Sequence, residues 1–165
     1  MFKFTLLFVS SEVEMKSLLI VYHSQSGTCA NLAKAAWQGA QLESGVETTV
    51  KRAWDADTRQ LSQADGILLV MAENSGALCG AMKDFLDRTF YPAIDRALVL
   101  PYALLISAGN DGRAAQRQAE RILSGYPFSA AAEPLILRGE WSTQQRRASE
   151  ELGQAFAAGL SMGIF

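Results

Sequence analysis

From Lys16 onward the chain alternates between short apolar runs and longer segments with helical periodicity. Residues 18–22 and 67–71 are continuous apolar runs, the pattern of strands covered on both faces. Ala33, Ala36, Trp37 and Ala40 fall at i, i+3, i+4 and i+7, which predicts a helix with that face inward. Residues 46–52 alternate apolar or β-branched with charged positions, as a strand near a sheet edge does. Residues 55–63 predict a short helix or loop, and Leu78, Met82, Phe85 and Leu86 give the next helix face. A strand over 102–107 follows Pro101, which suits a strand entrance because proline donates no ladder hydrogen bond. Residues 113–123 form a charged amphipathic helix and 135–137 a last short strand. The run Ser142-Thr143-Gln144-Gln145 reads as a capping box, opening a helix that turns Ala148, Leu152, Ala155, Phe156 and Gly159 inward.

Five strands alternating with helices predict an α/β fold, a doubly wound five-stranded parallel sheet with right-handed crossovers and helices on both faces. In such sheets a ligand lies beyond the carboxyl ends of the strands, at the topological switch point. Function is therefore sought just after Tyr22, Met71 and Ser107. The domain is expected to span residues 15–165. Residues 1–14 are expected to be an extension outside it, because Lys16 leads directly into the first buried strand; an extra edge strand is the competing reading. The apolar run 4–9 after Lys3 is short for a signal core, with no small-x-small cleavage site before Lys16.

Composition narrows the partners. The chain has 165 residues and a net charge of −2, so no basic field favours nucleic acid or an anionic membrane. No apolar run approaches the roughly 18–20 residues of a membrane span. Two cysteines and one histidine are too few for a typical structural zinc site or a disulfide scaffold, and a cytoplasmic location is expected.

Three strand ends carry the candidate chemistry. After the first strand, His23-Ser24-Gln25-Ser26-Gly27-Thr28-Cys29 runs straight into a helix. Its glycine permits a tight turn, its hydroxyls can donate to phosphate oxygens, and helix-start amides favour an anion. No lysine follows the glycine as in nucleotide triphosphatases, three spaced dinucleotide glycines are missing, and no arginine follows Cys29 as in a phosphatase. A monophosphate site remains; simple capping is the competing reading. The second loop is Ala72-Glu73-Asn74-Ser75-Gly76-Ala77 and the third Ala108-Gly109-Asn110-Asp111-Gly112. Each alone is turn chemistry, but together they place small residues along one sheet edge, where backbone amides can approach a flat polar ring.

The loop Ser24–Cys29 resembles the flavodoxin phosphate signature. Residues 64–69 with Gly80-Ala81-Met82-Lys83-Asp84-Phe85-Leu86-Asp87-Arg88-Thr89 closely resemble the NAD(P)H-dependent FMN reductase and quinone reductase branch. Glu73 and Gly76 match that branch's Pro-Glu-Tyr-Asn-Gly flavin loop. The resemblance implies a flavodoxin-like fold, strand order 2-1-3-4-5, and noncovalent FMN. It implies that Ser24, Gln25, Ser26, Gly27, Thr28 and Cys29 hold the phosphate. Glu73, Asn74, Ser75, Gly76 and Ala77 would line one flavin edge, and Gly109, Asn110, Asp111 and Gly112 the other. Cys29 departs from the usual threonine, and Ala72 and Asn74 replace the reductase proline and tyrosine, so no aromatic in this loop covers the flavin. Trp54, Tyr91, Tyr126 and Trp141 are the aromatics left for that role.

The implied function is transfer of electrons from NAD(P)H to a quinone, flavin or similar acceptor. The alternatives are a flavodoxin-type carrier docking on a redox protein, and a flavin-free interaction module. A charge of −2 gives little of the acidic field that steers carriers. A homodimer completing the flavin pocket is a further expectation from the resemblance. No catalytic side chain is assigned: His23 is read as a strand-end histidine bonded to backbone, ahead of a proton donor. Cys29, at a helix start that lowers a thiol pKa, and Cys79 are read as small packing residues around the same pocket, ahead of a redox pair. Arg113, Arg117 and Arg121 are a solvated face or a site for a pyridine-nucleotide phosphate.

Overall fold

A computed structural model describes residues 14–165. The expectation for residues 1–14 thus falls, except for Glu14, outside the described residues. The sheet contains β1 (Lys16–Tyr22), β2 (Val46–Arg52), β3 (Gly66–Asn74), β4 (Ala77–Leu78), β5 (Pro101–Ala108), β6 (Ser129–Ala130) and β7 (Leu135–Arg138). Its helices are α1 (Thr28–Ala40), α2 (Thr58–Ser62), α3 (Gly80–Asp95), α4 (Arg113–Leu123) and α5 (Thr143–Ser161). The parallel ladder runs β2-β1-β3-β5, and both β6 and β7 pair parallel with β5. This is the 2-1-3-4-5 order with its last strand in two pieces. Residues 131–134 separate them, and Pro134 there has no N–H for the ladder.

Side chains alternate across the central strands, and each face has its own core. Leu18, Ile20, Leu68, Val70, Ala103 and Leu105 pack against Leu32, Ala33 and Ala36 of α1 and Phe156, Ala157 and Leu160 of α5. Leu19, Val21, Ile67, Leu69, Met71, Leu104 and Ile106 face Leu61, Met82, Phe85 and Leu86, with Ala115, Ala119 and Leu123 of α4. The even and odd positions of the apolar runs therefore bury different helices. Among the described residues no helix is long and apolar enough to cross a membrane.

Four local expectations are corrected. Residues 72–77 are not a loop: β3 continues to Asn74 and turns into β4 as a two-residue hairpin. Ser75 and Gly76 both have positive φ (50° and 72°), the backbone of the tight turn whose twist matches its strands. Leu78 consequently belongs to β4 rather than to α3. On α5, Ala155 is exposed, and Gln145, Ser149 and Gly153 join Phe156 on the inner face instead. The capping box is half formed: Ser142 Oγ accepts from Gln145 N–H, but the Gln145 amide donates to the Arg138 carbonyl (2.9 Å). Gln145 thereby ties the end of β7 to the start of α5.

Candidate flavin site

The carboxyl ends of β1, β3 and β5 enclose a cleft of about 210 Å³. It gathers Ser24, Gln25, Ser26, Thr28 and Cys29 from the first connection, Glu73 and Asn74 from the end of β3, and Gly109 from the third loop. Gly27, Ser75, Gly76, Ala77, Asn110, Asp111 and Gly112 do not line it; they shape the turns around it. Ala72, Ser107, Ala108 and Gly139 line the cleft without having been singled out as site residues. Ser107 had one signal, a hydroxyl ending an otherwise apolar strand. Gly139 had none, because its place depends on Gly139 N–H bonding the Ala108 carbonyl (2.9 Å).

Two long helices begin at this edge, and their ends are treated in opposite ways. A helix start leaves four N–H groups without intrahelical acceptors. At α4 three of them find side-chain oxygens: Arg113 N–H bonds Asp111 Oδ1, and Ala114 and Ala115 N–H bond Glu73 Oε2. The α4 end is filled. At α1 no side chain caps the helix; Gly27 occupies the capping position with φ of 100°, where a Cβ would be strained. Ser24 Oγ spends its acceptor capacity on Gly27 N–H (3.1 Å), closing the turn before the helix. The first-turn amides and positive end of α1 are thus directed at the cleft, beside the hydroxyls of Ser26 and Thr28. These residues fit a phosphate monoester. Gly109, beside it, has no atom within 4 Å of where a Cβ would stand, so a planar group can approach its backbone.

Glu73 sits at the centre of this difference. Its carboxylate serves α4, so the residue borders the cleft while binding the end of β3 to the start of α4. On the opposite rim Asn74 Nδ2 donates to Gln25 Oε1 (3.3 Å), joining the hairpin to the phosphate loop.

Cys29 is buried and bonds Ser107, and burial pushes its thiol up to about 12, with Cys79 adding to the rise. Desolvation outweighs the helix-start effect expected from sequence. A neutral thiol adds no negative charge below a phosphate. The raised value also fixes a pH dependence. A folded-state proton held above the ordinary 9.0 gives stability fully present below pH 9 and lost as pH rises toward 12. Tyr126, buried with its hydroxyl on Thr89 and the Leu86 carbonyl, is raised from 10.0 to about 12 and acts the same way. Thermal melts across pH are expected to show a decline starting near 9. In Cys29→Ser its onset moves to about 10, where Tyr126 and Tyr102, whose hydroxyl burial also pushes up from 10.0, remain; an unchanged onset contradicts the assignment.

None of the candidate aromatics lines the cleft. Tyr126 is core, Tyr91 lies in a groove between α3 and α4, and Trp141 lies beside α1 and the start of α5. Trp54 meets His23 at right angles (centroids 5.9 Å apart) in an adjoining cleft. The His23 backbone N–H bonds the Val70 carbonyl, while its ring packs on Trp54.

The parallel sheet, its order and a phosphate-fitting helix start at the switch point define a flavodoxin-like domain. Solved structures agree on the fold. An archaeal flavodoxin superposes with a TM-score of 0.74 at 18% identity, covering 87% of this chain and 98% of its own. A WrbA-like flavodoxin from Agrobacterium tumefaciens gives 0.75 at 15%, covering 89% and 98%. Rubredoxin oxygen:oxidoreductase from Desulfovibrio gigas gives 0.77 at 13%, covering 92% of this chain and 38% of its own. The family model of the NADPH-dependent FMN reductases matches residues 39–135, and the chain belongs to that family. Membership makes FMN the flavin of this chain. A curated relative, an NAD(P)H dehydrogenase (quinone) of Acidithiobacillus ferrooxidans, is 32% identical over 95 residues. That match covers 46% of this chain and 48% of the relative, about half its length. The family match begins beyond the phosphate loop, so the reading of residues 24–29 rests on their geometry.

Proposed function

We propose that this chain uses bound FMN to take hydride from NAD(P)H and pass electrons to a quinone, flavin or similar small acceptor. The observation that carries the reading is the contrast between two helix starts at one sheet edge. Glu73 and Asp111 fill the α4 end, and α1 is left as the anion site.

FMN, when bound, supplies the redox chemistry: it accepts a hydride and returns electrons singly or in pairs. The protein's share is placement. Ser26, Thr28 and the α1 amides hold the phosphate, with Ser24 fixing the turn and the neutral Cys29 thiol avoiding repulsion. A cleft of about 210 Å³ is smaller than the roughly 300–1,000 Å³ of whole-ligand pockets. It would take the phosphate end, and Asn74 and Gly109 would border the ring at its rim. Among the described residues none of Trp54, Tyr91, Tyr126 and Trp141 lines that rim, so the ring's outer face would be open to a nicotinamide and then to an acceptor. Hydride transfer between stacked rings needs no protein acid or base, which agrees with the lack of an assigned catalytic side chain.

The test is anaerobic mixing of the FMN-loaded protein with NADPH and with NADH. Loss of the flavin's visible absorbance, recovered on adding a quinone, is the expected result. Retained absorbance with both nucleotides, together with rapid reduction by a redox protein, would instead establish a carrier.

A further inference from the structure

A second cleft, of about 270 Å³, lies between the phosphate loop and the connection from β2 to α2. Its walls include His23, Ser24, Gln25 and Gly27 on one side and Arg52 and Trp54 on the other. His23, Ser24 and Gln25 also line the flavin cleft, so the two depressions are continuous across the phosphate loop.

Two features of this cleft are only lightly engaged by the fold. Trp54 is 59% exposed, and among the described residues its only aromatic neighbour, His23, meets it at 84°, leaving no ring stacked upon it. Arg52 forms no ion pair among the described residues; its Nε reaches the Tyr22 hydroxyl at 3.4 Å, and Asp55 acts on it only through space. An open indole face binds a planar base, and a guanidinium fork binds a phosphate. Found together, they describe a nucleoside phosphate.

We infer that the Arg52–Trp54 cleft holds the adenosine-phosphate half of the nicotinamide dinucleotide, with the purine on Trp54 and a phosphate on Arg52. The inference rests on the proposed NAD(P)H-dependent activity. A dinucleotide whose nicotinamide lies at the flavin rim must carry its adenosine half away along an adjoining surface. This cleft adjoins the flavin cleft through three shared residues. The α4 arginines are placed less well. Arg121 lines the groove between α3 and α4 with Lys83, Asp87 and Phe90, which shares no residue with the flavin cleft.

The experiment titrates FMN-loaded protein with 2′,5′-ADP and 5′-AMP by tryptophan fluorescence. It also compares KM for NADPH with KM for reduced nicotinamide mononucleotide, which lacks the adenosine half. The expected result is saturable quenching that disappears in Trp54→Leu. Base stacking and a charge-assisted contact are each large enough for about a tenfold change in affinity. Trp54→Leu and Arg52→Ala should therefore each raise KM for NADPH about tenfold, leave KM for the mononucleotide in place and retain FMN. Arg52→Lys should recover part of the loss. Equal rises in both KM values would overturn the inference, because the variants would then act through the phosphate loop. Absence of adenosine-phosphate binding, or unchanged binding in both variants, overturns it as well. Should NADPH fail to reduce the flavin, the activity falls, and the ADP titration still decides the cleft.

Discussion

Gly153→Ala is expected to lower the stability of the protein by about 3–5 kcal/mol, although a helical glycine replaced by alanine ordinarily gains about 1 kcal/mol. The reversal comes from the crossing of α1 and α5. A Cβ on Gly153 would stand 1.9 Å from the Ala36 carbonyl oxygen, and one on Gly39 would stand 1.9 Å from that of Glu150. Both obstacles are backbone, so no rotamer change relieves them. The small residues Ala33, Ala36 and Ala40 on α1, with Ser149 and Ala157 on α5, are what let the helices approach so closely. A methyl at the contact must separate the helices and open the layer beneath, where Leu32 and Phe156 are buried. For a chain of this size the loss corresponds to a fall in Tm of roughly 6–20 °C. Because α1 begins at the phosphate loop, FMN affinity should fall with it. Gly80→Ala is the control. Gly80 opens α3 with nothing within 4 Å of its Cβ position, so the substitution should be neutral or stabilising by up to about 1 kcal/mol. Equal Tm values for Gly153→Ala and Gly80→Ala would contradict the close crossing.

That crossing marks where the sequence stops being legible. The apolar runs disclosed β1, β3 and β5, and the spacing of Ala33, Ala36 and Ala40 disclosed the inner face of α1, because burial imposes those periods locally. Nothing local marks Gly39 and Gly153 as partners; their meeting follows only from the packing of two helices far apart in the chain. The site divides in the same way. Residues 24–29 could be read as an anion loop because one short segment carries the turn, the hydroxyls and the helix start. Glu73 could not be read. Its match to a flavin loop put it on a flavin edge, whereas the structure gives its carboxylate to the α4 amides. Ser75–Gly76 was hidden for a related reason: the turn lacks the usual Asn-Gly pair, and only its positive φ angles identify the hairpin. Cys29 shows that a local rule can also mislead, since its helix-start position lowers a thiol pKa less than burial raises it.

Ser26→Asp separates the two roles of the α1 start, stability and anion binding, by moving them in opposite directions. Ser26 is exposed immediately before the capping Gly27, and it lines the flavin cleft. A carboxylate there interacts favourably with the helix dipole, by about 0.3–1 kcal/mol, and occupies an end that no side chain caps in the native protein. The FMN-free variant should therefore melt at or above the native temperature. FMN binding should weaken about 100-fold, or about 2.7 kcal/mol. One hydroxyl donor to a phosphate is removed, and an anion is placed a few ångströms from a second anion. The loss should shrink at high salt, since the loop is open to solvent. Stabilisation by ligand gives an independent reading: FMN at 100 times the native Kd adds about 2.7 kcal/mol to the native protein and only about 0.4 kcal/mol to the variant. Ser26→Ala, which removes the hydroxyl alone, should weaken FMN roughly tenfold. If the alanine and aspartate variants lose the same affinity, the field of the α1 start is not what holds the phosphate. An aspartate variant that binds FMN normally would place the phosphate elsewhere on the sheet edge.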